Sequence, residues 1–412
     1  MLAAAEASMD ARFRRAWPST VRQLAAFAGS LHAGEELAAE AFARALEQPR
    51  PVEDLVAWCT TVGHRLHIDA ARARAVRDRV HGELARQPPR EAAEPAVAAA
   101  VEDDRYALLL VACDPALGFA NRLVLALRVV CGLPTARIAW HLGIDPRAAS
   151  ARLTRAKRAL AEGAGGFRVP EGEERAERLP AVLECVAAVH AVSQRDALRP
   201  ADAADDLGRS ALTLARAVRA AHPDEPEAAA LLAVVLLALA RRPARFDAHG
   251  AALPLDEVDR SRWDRPMLLA GLELAAATAG SGGRFALEAS IAALHSAAPS
   301  AEATDWSSIA ALHERLVAIR PAPAARVAAA VAAARSALGA GGDLGPATAA
   351  LRALELEGTA ASRRDASLAL ADLEWRTGSR RAAAARYRAL VDALPGPVAA
   401  FVRRRIRDAG DD

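Results

Sequence analysis

The run IAWHLGIDPRAASARLTRAKR, residues 138–158, carries the reading from which the rest of this chain follows. Ile138, Leu142, Ile144 and Leu153 fall where two short helices on either side of a turn would share a core, and Ala139 is small where those helices must cross. Gly143 supplies the positive φ that a tight turn demands, Asp145 suits the cap of the second helix, and Pro146 fits its first position. The spacing predicts a helix-turn-helix over residues 132–160, with double-stranded DNA as the expected ligand. Arg147, Arg152, Arg155, Lys157 and Arg158 stud the second helix, and Lys157 is the only lysine in the sequence. The N-terminal residues of a recognition helix approach base edges, so Arg147 and Ser150 are the expected readers, while Arg155, Lys157 and Arg158 are expected to hold phosphates. The competing reading is a plain helical hairpin with a solvated basic face. Glycine and alanine at both special positions favour DNA.

On either side of this motif the composition is that of an all-α protein: alanine, leucine, arginine and glutamate dominate, and aromatic residues make up 4% of the chain. A length of 412 residues exceeds what one core usually serves. Helical periodicity from about Arg12 to Leu46, a break at Gln48-Pro49-Arg50-Pro51 and a second periodic run from Asp54 to Val80 predict a small helical domain over residues 1–81. Residues 82–101 read as a Pro- and Ala-rich flexible linker, residues 102–166 as the helix-turn-helix domain, and residues 167–412 as a helical-repeat extension. Turn signals at His222-Pro223-Asp224, Gly280 to Gly283, Gly339 to Pro346 and Leu394 to Pro397 pace that extension as stacked helix pairs. Its last pair places Gly378, Ala383, Tyr387 and Pro395 at the spacing of the second helix of a tetratricopeptide repeat.

Charge adds to this picture. Residues 1–170 hold 23 basic and 19 acidic side chains, the remainder 30 and 32, so the modest net charge of +2 conceals an excess at the N-terminal end. A second basic cluster, Arg65, Arg72, Arg74, Arg77 and Arg79, follows Trp58 on one helical run and suits a phosphate backbone or a solvated face. His64 and His67 beside it lack a third ligand, so no metal is expected. Cys59, Cys113, Cys131 and Cys185 form no C-x-x-C pair and read as buried reduced thiols. The most apolar stretch, Ala228 to Ala240, is too short to span a bilayer, and no secretory leader is read, so a cytoplasmic protein without a membrane partner is expected. With no glycine-rich phosphate loop, metal-ligand spacing or nucleophile elbow, neither catalysis nor a cofactor is expected, and Asp259 to Arg265 is expected to form ion pairs that lock one helix pair to the next.

The order of parts is informative: a small helical domain with Trp58 and Ile68-Asp69 before an arginine run, a Pro-rich linker, then a helix-turn-helix ending Arg152-Leu153-Thr154-Arg155-Ala156-Lys157. It resembles an extracytoplasmic-function sigma factor of RNA polymerase. The runs Ala240-Arg241-Arg242-Pro243-Ala244-Arg245, Asp259 to Arg265 and Ala298 to Trp306 resemble the subgroup with a long helical-repeat extension. The resemblance implies that the first domain binds the polymerase clamp helices and the −10 promoter element, and that the second reads the −35 element. By position, the acidic segment Glu35-Glu36 through Glu40 and Phe42 matches the polymerase-binding helix, with Glu36, Glu40 and Phe42 as the expected contacts, and Leu55 to Arg79 matches the −10 region, with Trp58, His64, Arg65, Arg72 and Arg74 as its expected contacts. Core packing is an equally good reading of Phe42. The chain departs from the family where Ala187 to Gln194 replaces an aromatic and Asn-Glu-Gly-Tyr run, where Ala328-Ala329 replaces an Asn-Arg pair, and where His64-Arg65-Leu66-His67 replaces an Asn-Arg-Ala order. Two readings follow: a sigma factor that partners core RNA polymerase and promoter DNA, its repeats regulating it or binding a protein, or a sigma-like scaffold that binds partners without initiating transcription.

Overall fold

In a computed structural model, residues 2–80, 104–163, 167–196 and 206–410 are described, the side chains of 2–11, 76–80 and 195–196 excepted. The expected linker at 82–101 lies outside the described residues. The fold is all-α: 18 helices are described, and the one β feature among the described residues is a single antiparallel bridge between Phe246 and Ala252. The chain divides into two compact units, residues 1–193 with 201–221, and residues 194–200 with 222–412.

The first unit begins with α1 (Leu2–Ala28), α2 (Leu31–Leu46) and α3 (Leu55–Val80), which pack on one another. Gly29 turns the chain at φ +75°, and Ser30 caps α2 by accepting from the Ala33 amide at 3.1 Å. Trp17, Val21 and Leu24 of α1 and Ala38, Ala41 and Phe42 of α2 are all buried, with Trp17 beside Phe42 and Leu24 against Gly63 of α3. Gly34 is obligatory at the crossing, because a Cβ there would stand 2.4 Å from the Ala25 backbone. Phe13, Trp17 and Phe42 stack with ring centroids 4.2 to 5.7 Å apart, each contact adding about 0.5–1.5 kcal/mol beyond area burial.

Next come α4 (Asp104–Ala112), α5 (Phe119–Val129), α6 (Thr135–Leu142) and α7 (Pro146–Gly163). Every residue from Tyr106 to Ala112 is buried, because α4 is covered by α1, α5 and α9 (Leu207–Ala221) together, so its sequence shows no amphipathic face. On α8 (Gly172–Asp196), Arg178 is 8% exposed and donates to the Leu110 carbonyl at 2.9 Å, to Asp114 at 2.8 Å and to Glu174 at 2.6 Å. The first unit therefore runs past residue 167, where the sequence placed the start of the extension, and α8 and α9 belong with it. All four cysteines are buried free thiols, as expected.

The second unit is a run of helices, each packed on the next: α10 (Pro226–Arg241), α11 (Arg265–Thr278), α12 (Arg284–Ala297), α13 (Trp306–Ile319), α14 (Pro323–Ala340), α15 (Gly345–Glu357), α16 (Ala360–Arg376), α17 (Arg380–Leu390) and α18 (Gly396–Asp408). The apolar stretch at Ala228 to Ala240 is α10, which packs on both α11 and α12. Its Glu227 carboxylate accepts from the Phe285 and Ala286 amides at 2.8 and 3.0 Å, filling the positive N-terminus of α12. In the last helices Gly378 turns at φ +84°, and Ala383 and Tyr387 pack with Ala371 and Val402. The 259–265 segment departs from expectation: Asp259 and Asp264 cap local turns, and Arg260 donates to the His295 and Ala298 carbonyls instead of pairing with an acid. Among the described residues no helix is long and apolar enough to cross a membrane.

Candidate nucleic-acid interface

Helices α6 and α7 meet at the turn the sequence required. Gly143 sits at φ +63°, ψ +37°, its amide bonds back to Ala139 and Trp140, and the Ile144 amide closes on the Ala139 carbonyl at 3.0 Å. Only glycine adopts this left-handed conformation without cost. Asp145 accepts from the Arg147 amide at 2.7 Å, and α7 opens on Pro146. Ile138 and Ala139 of α6 and Ala149, Leu153 and Ala156 of α7 are buried, whereas Leu142 and Ile144 are only half-buried.

The burial of α7 fixes its opposite face. With 100° per residue, Ala149, Leu153 and Ala156 define the inner side, and Arg147, Ser150, Thr154, Arg155 and Arg158 fall on the outer one, where all five are exposed. Arg158 pairs with Glu162 at 2.6 Å, a solvated pair one turn apart, and the Thr154 hydroxyl donates to the Ser150 carbonyl. Arg152 is half-buried at the edge of the inner side.

Lys157 does not join this face. Its ammonium lies 2.7 Å from Glu35 Oε2, with the Lys157 side chain 17% and the Glu35 side chain 6% exposed. Arg128 Nε donates to the other oxygen of the same carboxylate at 2.5 Å. Burial pushes the Glu35 carboxyl up, but the charges of Arg128 and Lys157 outweigh it and hold the group below its ordinary value. Lys157 is thus a tie between α7 and α2, which corrects its expected role as a phosphate contact. Glu35, expected with Glu36 in the acidic segment of the polymerase-binding helix, is instead buried against Arg128 and Lys157, which corrects its place there. Its register was the available signal: Leu31, Glu35, Ala38 and Phe42 form the buried stripe of α2.

The expected polymerase contacts separate in the same way. Glu36 and Glu40 are exposed, the first beside His32 and the second paired with Arg44 at 3.1 Å. Phe42 is 1% exposed in the aromatic core, which corrects its assignment as a contact residue. On α3, half-buried Trp58 and exposed Arg65 line a shallow open depression with Ala57 and Thr61, and exposed Arg72 continues that side of the helix, 3.7 Å from Asp69. Arg74 is exposed farther along. His64 and His67 turn instead onto Phe27, with ring centroids at 4.0 and 5.3 Å, and burial next to His67 lowers the His64 pKa. His64 is a packing residue, contrary to its expected place on the DNA face. The side chains of Arg77 and Arg79 lie outside the described residues.

An all-α chain with two exposed basic helix faces in its first unit and packed helix pairs in its second is the class the structure defines. Residues 178–279 match DUF6596, a family of unknown function. Over 324 residues the chain is 34% identical to an uncharacterized protein of Rhizobium meliloti (strain 1021), covering 76% of this chain and 77% of that one, and it belongs to the same family as that protein. No solved structure matches the chain.

Proposed function

We propose that the first unit is a sigma-type module that directs RNA polymerase to promoters, reading duplex DNA through α7 and contacting the −10 element through the Trp58 side of α3. The observation that carries this reading is the outer face of α7: Arg147, Ser150, Thr154, Arg155 and Arg158 all point to solvent, just after a left-handed glycine turn. Arg147 and Ser150 lie at the end of the helix that meets base edges, and Arg155 and Arg158 lie where phosphates run. Glu36 and Glu40 are the exposed acids offered to polymerase. The second unit regulates this activity or binds partners through its helix pairs.

The alternative, a sigma-like scaffold without promoter-specific initiation, draws support from the same unit. Lys157 is tied to Glu35, and His64 is turned onto Phe27, so two residues of the expected DNA faces serve packing. In vitro transcription with core polymerase on a pool of genomic promoter fragments separates the two, using the full chain and a version ending after residue 221. Specific starts from either protein establish the sigma reading, and the difference between the two gives the sign of the second unit's effect. Polymerase binding without starts establishes the scaffold.

A further inference from the structure

The second unit holds an open-sided pocket of about 320 Å³ among α13, α14, α16, α17 and α18. Leu255, Leu368, Val398 and Phe401 are among its apolar lining residues, and Arg335, Asp372, Arg376 and Tyr387 line it with polar groups beside Trp306. The two arginines there are in opposite states. Arg376 is saturated: it grips Asp256 with two bonds of 3.1 Å and Asp372 with one of 2.6 Å. Arg335 has no hydrogen bond and no carboxylate at ion-pairing distance among the described residues, and its guanidinium lies 4.7 Å from the centre of the Trp306 ring. The Tyr387 hydroxyl is likewise without a hydrogen bond among the described residues, on a side chain 2% exposed. Burial and the nearby Asp372 raise its pKa, so it stays an O–H donor.

Behind Trp306 the surroundings are cationic. The His295 ring stands 5.1 Å from that of Trp306, and its backbone carbonyl accepts from Arg260 at 3.0 Å. Burial, with Arg241, His313, Arg260 and Arg335 around it, pulls the His295 pKa down to about 4. Neither Arg241 nor Arg260 has a carboxylate at ion-pairing distance among the described residues, and Arg260 Nη2 is buried without a partner. Glu302 acts on Arg260 and Arg335, and Asp256 and Asp372 on Arg335, only from beyond ion-pairing distance, and a partly desolvated guanidinium without a contact anion is costly.

We propose that this pocket binds a small amphipathic monocarboxylate, its carboxylate held by the Arg335 guanidinium and the Tyr387 hydroxyl and its apolar body lying along Phe401, Leu368 and Val398. A single negative charge suits the site because Arg376 is taken up by Asp256 and Asp372, which leaves Arg335 as the one lining cation to match. The volume is at the small end for ligand pockets and favours a medium-chain or aromatic acid over a nucleotide. The three sequence runs the DNA reading left unused, at 240–245, 259–265 and 298–306, supply Arg241, Arg260 and Trp306 to this region. The site does not depend on whether the first unit reads DNA.

The test is calorimetric titration of the full chain with octanoate, beside octanol and inorganic phosphate. Octanoate is expected to bind, octanol and phosphate at least tenfold more weakly, and Arg335→Gln to weaken octanoate at least tenfold, with Tyr387→Phe weakening it less. Octanol binding as tightly as octanoate, phosphate outcompeting it, or an unchanged affinity in a folded Arg335→Gln variant overturns the proposal. Hydrogen exchange on the unaltered chain is the second measurement and needs no variant. Octanoate is expected to slow exchange in α14, α16 and α17, and no slowing there overturns the site.

Discussion

Replacing Glu35 by Gln tests the tie between α2 and α7 most directly. The carboxylate is the shared partner of two cations, with Arg128 Nε at 2.5 Å and Lys157 Nζ at 2.7 Å, and the three side chains are 6%, 21% and 17% exposed. Removing one member of a buried charge cluster costs about 3–5 kcal/mol, since the remaining charges stay desolvated and unpaired. Gln keeps an acceptor oxygen for one cation and turns an amide N–H toward the other, so a loss near ~3 kcal/mol is expected for Glu35→Gln. For a unit of this size that lowers its melting temperature by roughly 6–12 °C. Differential scanning calorimetry reads this, with the transition of the first unit moving and that of the second staying in place. The double-mutant cycle with Lys157→Met isolates the pair, and a coupling of about 1–3 kcal/mol is expected. Because the Glu35 carboxyl is held below its ordinary value, its contribution is present at neutral pH and is lost as pH falls through that lowered value. A loss under ~1 kcal/mol, or additive single and double variants, would refute the reasoning that the ion cluster fastens α7.

Gly34→Ala forces a methyl to within 2.4 Å of the Ala25 backbone, and about 2–4 kcal/mol of destabilisation is expected in urea unfolding. Gly143→Ala meets no atom within 4 Å and pays only for its φ of +63°, so a smaller loss of about 1–2 kcal/mol is expected in the same assay. Arg147→Ala is expected to relax discrimination at one base position by about 1–3 kcal/mol in fluorescence-anisotropy titrations of DNA variants, and a uniform loss over all sequences makes it a phosphate contact. His295 is held down to about 4 against an ordinary 6.5, so between those values the unfolded chain binds more protons than the folded one. Stability from this group is complete above pH 6.5 and falls by ~3 kcal/mol toward pH 4, and His295→Phe is expected to flatten that part of the urea stability profile.

Much of the fold was legible because local chemistry and global packing agree. The breaks near Gln48 to Pro51 and His222 to Asp224 were visible as proline clusters, and the α6–α7 turn was fixed by Gly143 and Asp145 before any packing was known. The turn between α1 and α2 was not, since Gly29-Ser30 is a short signal inside continuous helical periodicity. The first unit's extent was also hidden, because nothing in the sequence of Arg178 reveals that it reaches Asp114 across 64 positions. At the candidate site, sequence position identified which residues lie on α7 but not which way they turn. Lys157 and Arg158 are neighbours in the chain, yet one faces Glu35 and the other solvent, and only the burial of Ala149, Leu153 and Ala156 decides between them. Phe42 shows the same limit, for an aromatic residue in an acidic helix fits an interface and a core equally well until Phe13 and Trp17 are seen beside it.

The placement of Arg178 bears on how such chains are inherited. The segment that matches DUF6596 begins at this residue and ends at 279, so it contains the end of one compact unit and the opening helices of the other. A gene fragment cut at that family boundary separates Glu174 from the guanidinium it holds and, expressed alone, deprives Arg178 of Asp114 and of the Leu110 carbonyl. The matched segment is therefore not a unit that can be transplanted by itself, and a graft of the first unit that keeps its physical partners must begin at α1, since α1 covers α4 and Glu35 of α2 holds Arg128 and Lys157.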